Sequence, residues 1–186
     1  MSLLTVMPPV ETPHLLLREI TAGDGDHFAA YMLQPRYQRH VNLRLKDEVE
    51  IDDFVARSLA RQGDDRRRIF HLAAEERMSG DVVGDGFLLL QPDGAVEMGW
   101  GVHPAMWAMG LGTEIGRALM GMGFERLQAR TMWCKIMVDN NASLKLARRI
   151  GLRFDRAHSN YPLTGGGFGT VEIFRLNAAD YFDLPY

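Results

Sequence analysis

The sequence contains a single cysteine, Cys134, among its 186 residues. One cysteine cannot form a disulfide within the chain, and this scarcity is typical of proteins from reducing compartments. Cys134 lies in the apolar run TMWCKIMV, which predicts a buried packing residue rather than a nucleophile. The six histidines are scattered, and none stands beside cysteine or carboxylate at the spacing of metal ligands. We therefore expect no structural metal.

The sequence also has no excess of positive charge and no long apolar run. Its formal charge is -3, which argues against a nucleic-acid-binding surface. The only basic run, residues 66–68, follows two aspartates and predicts a solvated loop. The first 14 residues have no basic region, and two prolines interrupt their apolar stretch, which argues against a signal peptide or a membrane span. These features predict a cytoplasmic protein that binds neither nucleic acid nor membrane.

Hydrophobic periodicity predicts one mixed α/β domain. With 46% hydrophobic residues, the chain can bury a full core. Alternating and apolar segments predict strands at 14–20, 69–75, 81–90, 95–102, 130–138, 152–159 and 169–177. Helical periodicity and capping residues predict helices from Thr21 to Leu33 (ended by Pro35) and at 47–63, 112–127 and 141–150. This order indicates a single sheet covered by helices.

Glycines are concentrated in WAMGLGTEIG, residues 107–116, just before a predicted helix. Such loops bring backbone amides and a helix N-terminus close to an anion, typically a phosphate. A Walker loop is excluded because Arg117 and Ala118 stand where lysine and a hydroxyl residue are required. A dinucleotide-binding loop misses its spacing by one residue, and residues 103–106 separate it from the preceding strand. That alternative, an NAD(P)-dependent oxidoreductase, stays open.

The segment EMGWGVHPAMWAMGLGTEIGRALMGMGF, residues 97–124, resembles the acyl-CoA-binding segment of the GNAT N-acetyltransferases. It is most similar to the branch that contains the ribosomal-protein N-terminal acetyltransferases of the Rim type. The matching residues are Glu97, Gly99, Trp100, Pro104, Trp107, Gly110, Gly112, Thr113, Glu114 and Phe124. A second segment, NNASLKLARRIGLRF, resembles the family's N-x-x-S motif and following short helix through Asn140, Ser143 and Gly151.

This resemblance extends over about residues 15–177 and implies a single GNAT-like domain within 1–186. The fold it implies is a mostly antiparallel sheet, splayed at the acyl-CoA site, with about four helices on its faces. It implies acetyl-CoA as co-substrate, no metal, and a homodimer as one allowed assembly. The residues it places at acetyl-CoA are Met98, Trp107, Ala108, Met109, Gly110, Leu111, Gly112, Thr113, Asn140 and Ser143. Ala108 replaces the usual first glycine of the turn, which we expect to be tolerated if Ala108 keeps a negative φ.

Acetyl transfer from a thioester to an amine needs a proton acceptor, donors for the oxyanion and a proton for the leaving thiolate. By resemblance, the backbone amide of Met98 or a neighbour binds the thioester oxygen. Glu97 is the candidate general base, with a solvent-facing strand carboxylate as the alternative. Ser143 is the candidate general acid, with a helix cap as the alternative. Ala147 occupies the position of the tyrosine that many relatives use, and Tyr161 is a distant substitute.

The sequence thus predicts an acetyl-CoA-dependent N-acetyltransferase in which a primary amine attacks the thioester directly. A non-catalytic acyl-CoA sensor with the same fold is an alternative from a different class. The acceptor is open between a protein N-terminus and a small-molecule amine. We expect it to lie between the first two helices, about 22–62, and the loop 159–169, where the sequence pattern is weakest.

Overall fold

The computed structural model describes residues 6–41, 44–163 and 166–185. The strands are β1 (Val10–Glu11), β2 (Leu15–Glu19), β3 (Ile69–Glu76), β4 (Val82–Leu90), β5 (Ala95–Val102), β6 (Thr131–Met137), β7 (Arg153–Pro162) and β8 (Phe168–Asn177). The helices are α1 (Gly25–Met32), α2 (Pro35–Gln38), α3 (Glu48–Arg61), α4 (Leu111–Gly121), α5 (Asn141–Arg149) and α6 (Ala178–Phe182). All eight strands form one sheet in the order β1-β2-β3-β4-β5-β6-β8-β7.

Every strand pair is antiparallel except β5 and β6, which α4 connects as a crossover. The parallel pairing is short and joins residues 95–97 of β5 to residues 131–133 of β6. Beyond Glu97 and Trp133, β5 continues to Val102 beside β4, while β6 continues to Met137 beside β8. The sheet therefore opens at its centre, and the predicted splayed, mostly antiparallel fold is confirmed.

Hydrophobic side chains cover both faces of the sheet, as the alternation of the strands requires. On one face, α4 and α5 pack on the larger core, whose fully buried members include Leu17, Leu72, Met98 and Leu119. On the other face, α1 and α3 cover a smaller core centred on Phe28, Tyr31 and Phe54. The smaller core does not extend to the centre of the sheet, so a space remains there between the sheet and the helices α1 to α3.

The first predicted helix begins later in the structure and ends within one residue of the predicted Leu33. Residues 22–24 form a short 3-10 turn, and α1 then runs from Gly25 to Met32. Pro35 follows α1, as predicted, but it also begins α2. Proline suits the first turn of a helix because its missing N–H has no partner there. With α2 and the C-terminal α6, the described chain has six helices rather than about four.

The predicted helix 112–127 also divides in two. The α-helix α4 ends at Gly121, and residues 122–126 form a π-helical turn. Gly123 lies in this turn, where a Cβ would come within 2.2 Å of the Met132 sulfur. A larger residue would displace the buried Met132 side chain, so glycine suits the close contact with β6. At Gly121 a Cβ would meet nothing closer than 3.7 Å, so no packing constraint explains that glycine.

Glu114 fixes the start of α4 to the loop before β2. Its carboxylate accepts hydrogen bonds from the Thr12 hydroxyl at 2.6 Å and the His14 amide at 3.1 Å, and contacts the His14 ring. Burial acts to raise the pKa of Glu114, but these hydrogen bonds lower it below its usual value. The charged form of Glu114 therefore holds the helix N-terminus in place, where the helix dipole also favours it.

The predicted loop 159–169 is shorter in the structure, because β7 extends to Pro162 and β8 begins at Phe168. Thr164 and Gly165 lie outside the described residues. Among residues 6–41, 44–163 and 166–185, no helix is long and apolar enough to cross a bilayer. The same residues contain no group of three His, Cys, Asp or Glu side chains arranged to hold a metal.

Candidate active site

Two cavities meet where β5 and β6 separate. The larger cavity, of about 740 Å³, lies between α2, the end of β5, the start of α4 and α5. The smaller cavity, of about 450 Å³, lies between the central strands and the layer formed by α1 to α3. Six residues line both cavities, namely Tyr37, His40, Val41, Trp100, Asn140 and Ser143.

The larger cavity brings together most of the residues predicted at acetyl-CoA. These are Trp107, Ala108, Gly110, Leu111, Gly112, Thr113, Asn140 and Ser143. The Met109 side chain is 59% exposed and does not line this cavity. Met98 lines the smaller cavity instead, and its side chain is buried in the core. The glycine loop therefore lies at the larger cavity, whereas Met98 and Met109 do not line it.

The loop ends in a glycine-capped helix N-terminus. Gly110 has a φ of 87°, and its carbonyl accepts the amides of Thr113 at 2.9 Å and Glu114 at 3.3 Å. The amides of residues 108–112 have no acceptor within the described chain. Free amides at the positive end of a helix dipole form an anion-binding site. The loop is thus built to receive a negatively charged group.

Ala108 does not keep the negative φ that we expected, because its φ is 64°. The neighbouring residues fix this conformation. The Trp107 indole donates to the Val102 carbonyl at 2.9 Å and lies under the Arg36 guanidinium at 4.7 Å, while Gly110 already begins the helix. The chain must reverse between these points, so Ala108 adopts the left-handed conformation at a cost of about 1–2 kcal/mol.

Four basic side chains line the larger cavity, and the sequence did not single them out. They are Arg36, Arg39, Lys145 and Arg149. Asp139 is the only acidic residue in the same lining. The cavity is therefore positively charged on balance. Lys145 and Arg149 lie one helical turn apart on α5, and this spacing was the available sequence signal.

Strand register defines the wall of the smaller cavity. Residues paired across β3, β4 and β5 form rows, and the side chains of every second row point to the same face of the sheet. The three rows are Ile69–Leu89–Glu97, His71–Phe87–Gly99 and Ala73–Asp85–Gly101. Glycine at two of the three β5 positions keeps this face open, with Glu97 at one end of the wall and Asp85 at the other.

Glu97 is 6% exposed and pairs with Lys135, whose Nζ lies 2.8 Å from Glu97 Oε1. A solvent-facing carboxylate, the alternative considered from the sequence, is therefore wrong. Burial acts to lower the pKa of Lys135, but the hydrogen bonds to Glu97 and to Tyr161 raise it above its usual value. Lys135 is thus charged near neutral pH. Lys135 is visible in the sequence as the one charge in an apolar strand.

Asn140 and Ser143 lie together at the start of α5. Asn140 is the cap, because its side-chain oxygen accepts the Ser143 amide at 3.2 Å. The cap interpretation of Ser143 is therefore wrong, and its hydroxyl has no hydrogen bond to the described residues. Ala147 is fully buried, and Tyr161 lines neither cavity. Ser143 thus has a hydroxyl where the two cavities meet, and the hydroxyl of Tyr37, which also lines both, is already bonded to Asp85.

Asp85 lies deep in the smaller cavity between two tyrosines. Its Oδ1 accepts the Tyr31 hydroxyl at 2.9 Å and the Tyr37 hydroxyl at 2.8 Å. Burial raises the pKa of Asp85, while the two hydrogen bonds oppose that rise. Gly101 makes this arrangement possible, since a Cβ there would lie 2.1 Å from the Tyr37 hydroxyl. The cluster therefore ties α1 and α2 to the centre of the sheet.

Cys134 is 1% exposed, which confirms the predicted buried packing residue. Its side chain belongs to the larger core, although the residue also borders the smaller cavity. Burial and the nearby Glu97 charge raise the pKa of its thiol well above the usual range. The thiol is therefore protonated near neutral pH and is a poor nucleophile.

The two cavities differ in the chemistry they offer. The larger one combines helix amides with basic side chains, which suits a long anionic ligand. The smaller one holds a buried carboxylate at the opening in the sheet, together with aromatic walls. The mostly antiparallel sheet excludes the dinucleotide-binding alternative, which requires an open, mostly parallel sheet.

Comparison with known proteins agrees with this geometry. The model of the acetyltransferase (GNAT) domain matches residues 14–153. The chain is 24% identical over 163 residues to the uncharacterized N-acetyltransferase YoaA of Bacillus subtilis (strain 168), covering 87% of this chain and 92% of that protein. It is 24% identical over 180 residues to the uncharacterized N-acetyltransferase p20 of Bacillus licheniformis, covering 94% and 99%.

Solved structures share the fold at lower sequence identity. RimL, a ribosomal L7/L12 α-N-protein acetyltransferase in complex with coenzyme A, superposes with a TM-score of 0.81 at 16% identity, covering 94% of this chain and 99% of RimL. A GNAT-family acetyltransferase from Bacillus anthracis superposes with a TM-score of 0.78 at 14% identity, covering 92% and 99%. Since the domain model spans most of the sequence and the fold agrees, the chain belongs to the GNAT acetyltransferase family.

Proposed function

We propose that this protein is an acetyl-CoA-dependent N-acetyltransferase of the Rim-type branch that acetylates a primary amine. The observation that carries the proposal is the opening between β5 and β6, where a cavity with anion-binding amides meets a cavity with a buried carboxylate. One ligand has to reach from the first cavity to the opening, and the second has to meet it there. Acyl transfer between two bound substrates requires this arrangement.

The larger cavity fits acetyl-CoA as the co-substrate. The free amides of residues 108–112 would receive the pyrophosphate, and the basic side chains at the cavity rim would face its phosphates. Asn140 has its oxygen engaged as the α5 cap, which leaves its amide donor for the pantetheine chain. The backbone amide of Met98 or a neighbour, at the first positions past the last β5–β6 pair, would hold the thioester oxygen.

Glu97 accepts the proton of the acceptor ammonium, directly or through a water molecule. The 2.8 Å contact with Lys135 Nζ fixes the orientation of the Glu97 carboxylate. The neutral amine then attacks the thioester carbon, and the C–S bond breaks. Ser143, whose hydroxyl lies where the cavities meet, donates a proton to the departing thiolate and regains one from the attacking nitrogen, which loses it as the amide forms.

Two features support the Rim-type assignment. The loop sequence carries the branch's Trp-x-x-Gly-x-Gly-Thr-Glu pattern, and the position of the tyrosine acid is Ala147. RimL, which resembles this chain over nearly its full length, acts on the α-amino group of a ribosomal protein. We extend to this chain only the class of acceptor, a primary amine.

Calorimetric titration with acetyl-CoA tests the binding half of the proposal, with NADH and ATP as controls. Gly110→Val should abolish measurable binding by crowding the amides. Gly63→Val is the matched control, because Gly63 has a φ of 83° and Gly110 a φ of 87°, and a Cβ at either would meet nothing within 4 Å. Equal affinity in the two variants would show that the loop does not bind acetyl-CoA.

Thiol release in the presence of amines tests the catalytic half. Glu97→Gln should lower kcat at least tenfold and flatten the acidic limb of the pH–rate profile, while acetyl-CoA affinity stays the same. Ser143→Ala should lower kcat more than it raises KM for acetyl-CoA. Tight binding of acetyl-CoA without turnover on any amine would identify a sensor rather than an enzyme.

A further inference from the structure

The charges around the smaller cavity are unevenly distributed. Glu97 at the opening is neutralised by Lys135, and Asp85 is held by two tyrosine hydroxyls. The opposite wall, formed by α3 above β3, contributes Arg57 and Arg61. One end of the smaller cavity is therefore cationic. This is unexpected, because the amine that the enzyme would acetylate is itself a cation before it loses its proton.

The two arginines lie one helical turn apart on α3, and both line the cavity. Like charges at this spacing destabilise a helix. Arg57 is 3.9 Å from Asp53, whereas Arg61 has no ion pair with any described residue. An anion bound between the two guanidinium groups would relieve this repulsion.

His71 lies beside the arginines and supplies an independent indication of a ligand. Its ring is packed between Phe54 at 5.0 Å and Phe87 at 6.0 Å, and it borders the cavity. Its Nδ1 is buried and has no hydrogen-bond partner in the described chain. Burial, followed by the charges of Arg61, Arg67 and Arg57, lowers its pKa to about 4. His71 is therefore neutral near neutral pH and can donate to an anion without needing a counter-charge.

We propose that the acceptor amine carries a carboxylate, which Arg57, Arg61 and His71 bind while the amine points to Glu97. This inference rests on the function proposed above and names its substrate class. The arginines lie above β3, and Glu97 lies on β5, two strand spacings away. The amine and the carboxylate of the acceptor would therefore lie up to about 10 Å apart. An ω-amino acid spans this distance, as does a peptide N-terminus with an acidic side chain at its second residue.

Matched acceptors test the proposal through acetyl-CoA-dependent thiol release. One pair is ε-aminocaproate and its amide, and the other is Ala-Glu and Ala-Gln, both amidated at the C-terminus. The acidic member of at least one pair should have a kcat/KM tenfold or more above its neutral partner, as charge-assisted hydrogen bonds predict. The pair that shows the preference distinguishes a small molecule from a peptide.

The variant Arg57→Gln/Arg61→Gln should lower kcat/KM for the acidic acceptor to that of the neutral one, mainly through KM. Arg66→Gln is the matched control, because Arg66 is exposed and lies outside both cavities. The preference of the Arg66→Gln variant for the acidic acceptor should equal that of the unmodified protein. Acetylation with no acidic preference, a preference that the double variant retains, or a preference for cadaverine would overturn the inference. Failure to bind acetyl-CoA would instead refute the proposed function.

Discussion

Replacing Ala108 by glycine should stabilise the protein, although the change removes a side-chain carbon. Ala108 has a φ of 64°, a conformation that costs an L-residue about 1–2 kcal/mol. Glycine adopts this conformation freely. Glycine also raises the entropy of the unfolded chain, which lowers the free energy of unfolding by about 0.4–1 kcal/mol. The difference predicts a net stabilisation of about 0.8 kcal/mol. For a domain of this size, that raises Tm by about 2–3 °C.

Gly110→Ala is the opposite substitution in the same loop. Gly110 has a φ of 87°, and a Cβ there would meet nothing within 4 Å. Backbone conformation alone should therefore determine the effect, with no contribution from a clash. The same two terms now have opposite signs and predict a loss of stability of about 0.8 kcal/mol.

Urea denaturation followed by tryptophan fluorescence measures both changes, with thermal unfolding as a second probe. The measurements are made without CoA, so that ligand affinity does not alter the apparent stability. The Ala108→Gly variant should have a higher midpoint, and Gly110→Ala a lower one, with the same m-value in each. A lower midpoint for Ala108→Gly would refute the reasoning, because it would show that Ala108 is not under left-handed strain in solution.

Three further predictions follow from contacts described above. Gly101→Ala places a Cβ 2.1 Å from the Tyr37 hydroxyl and should destabilise the fold by about 1–3 kcal/mol in urea, whereas Gly23→Ala, with nothing nearer than 4.0 Å, should not. Asn140→Ala removes the α5 cap and should cost about 1 kcal/mol and lower kcat; an unaltered kcat would separate the cap from catalysis. Glu114→Gln should cost about 1–2 kcal/mol at pH 7. Burial opposes the change, but hydrogen bonds lower the folded-state pKa of Glu114. Its contribution to the free energy of unfolding is therefore fully present above about pH 4.3 and is lost as the pH falls through the folded-state pKa. A stability gap that does not narrow as the pH falls below about 4.3 would contradict this account.

The long, strongly patterned elements of the fold could be predicted from sequence, because alternation and helical periodicity report which face is buried. The central strands, α3 and α5 lie within a few residues of their predicted bounds, and α4 together with its π-helical turn covers the predicted helix 112–127. Short elements such as β1, α2 and α6 were missed, since two to five residues carry too little periodicity. Pro35 shows the difficulty, because the same residue follows one helix and begins the next.

The candidate site was predictable where function depends on backbone. A glycine loop before a helix signals free amides in the sequence itself, and the structure places that loop at the larger cavity. Side-chain environments were not predictable, because they depend on residues distant in sequence. The partner of Glu97 is 38 positions away in Lys135, and the anchor of Asp85 comes from α1 and α2. The φ of Ala108 likewise follows from contacts on both sides of the loop.

The two cavities share a wall formed by residues from α2, β5 and α5, including Tyr37, Trp100 and Ser143. A side chain that moves to accommodate one ligand changes the space available to the other. A ligand that shifted this wall would alter affinity in the other cavity, and thermodynamic linkage would make that effect reciprocal. The shared wall is thus the part of the fold through which the binding of two different ligands would be coupled.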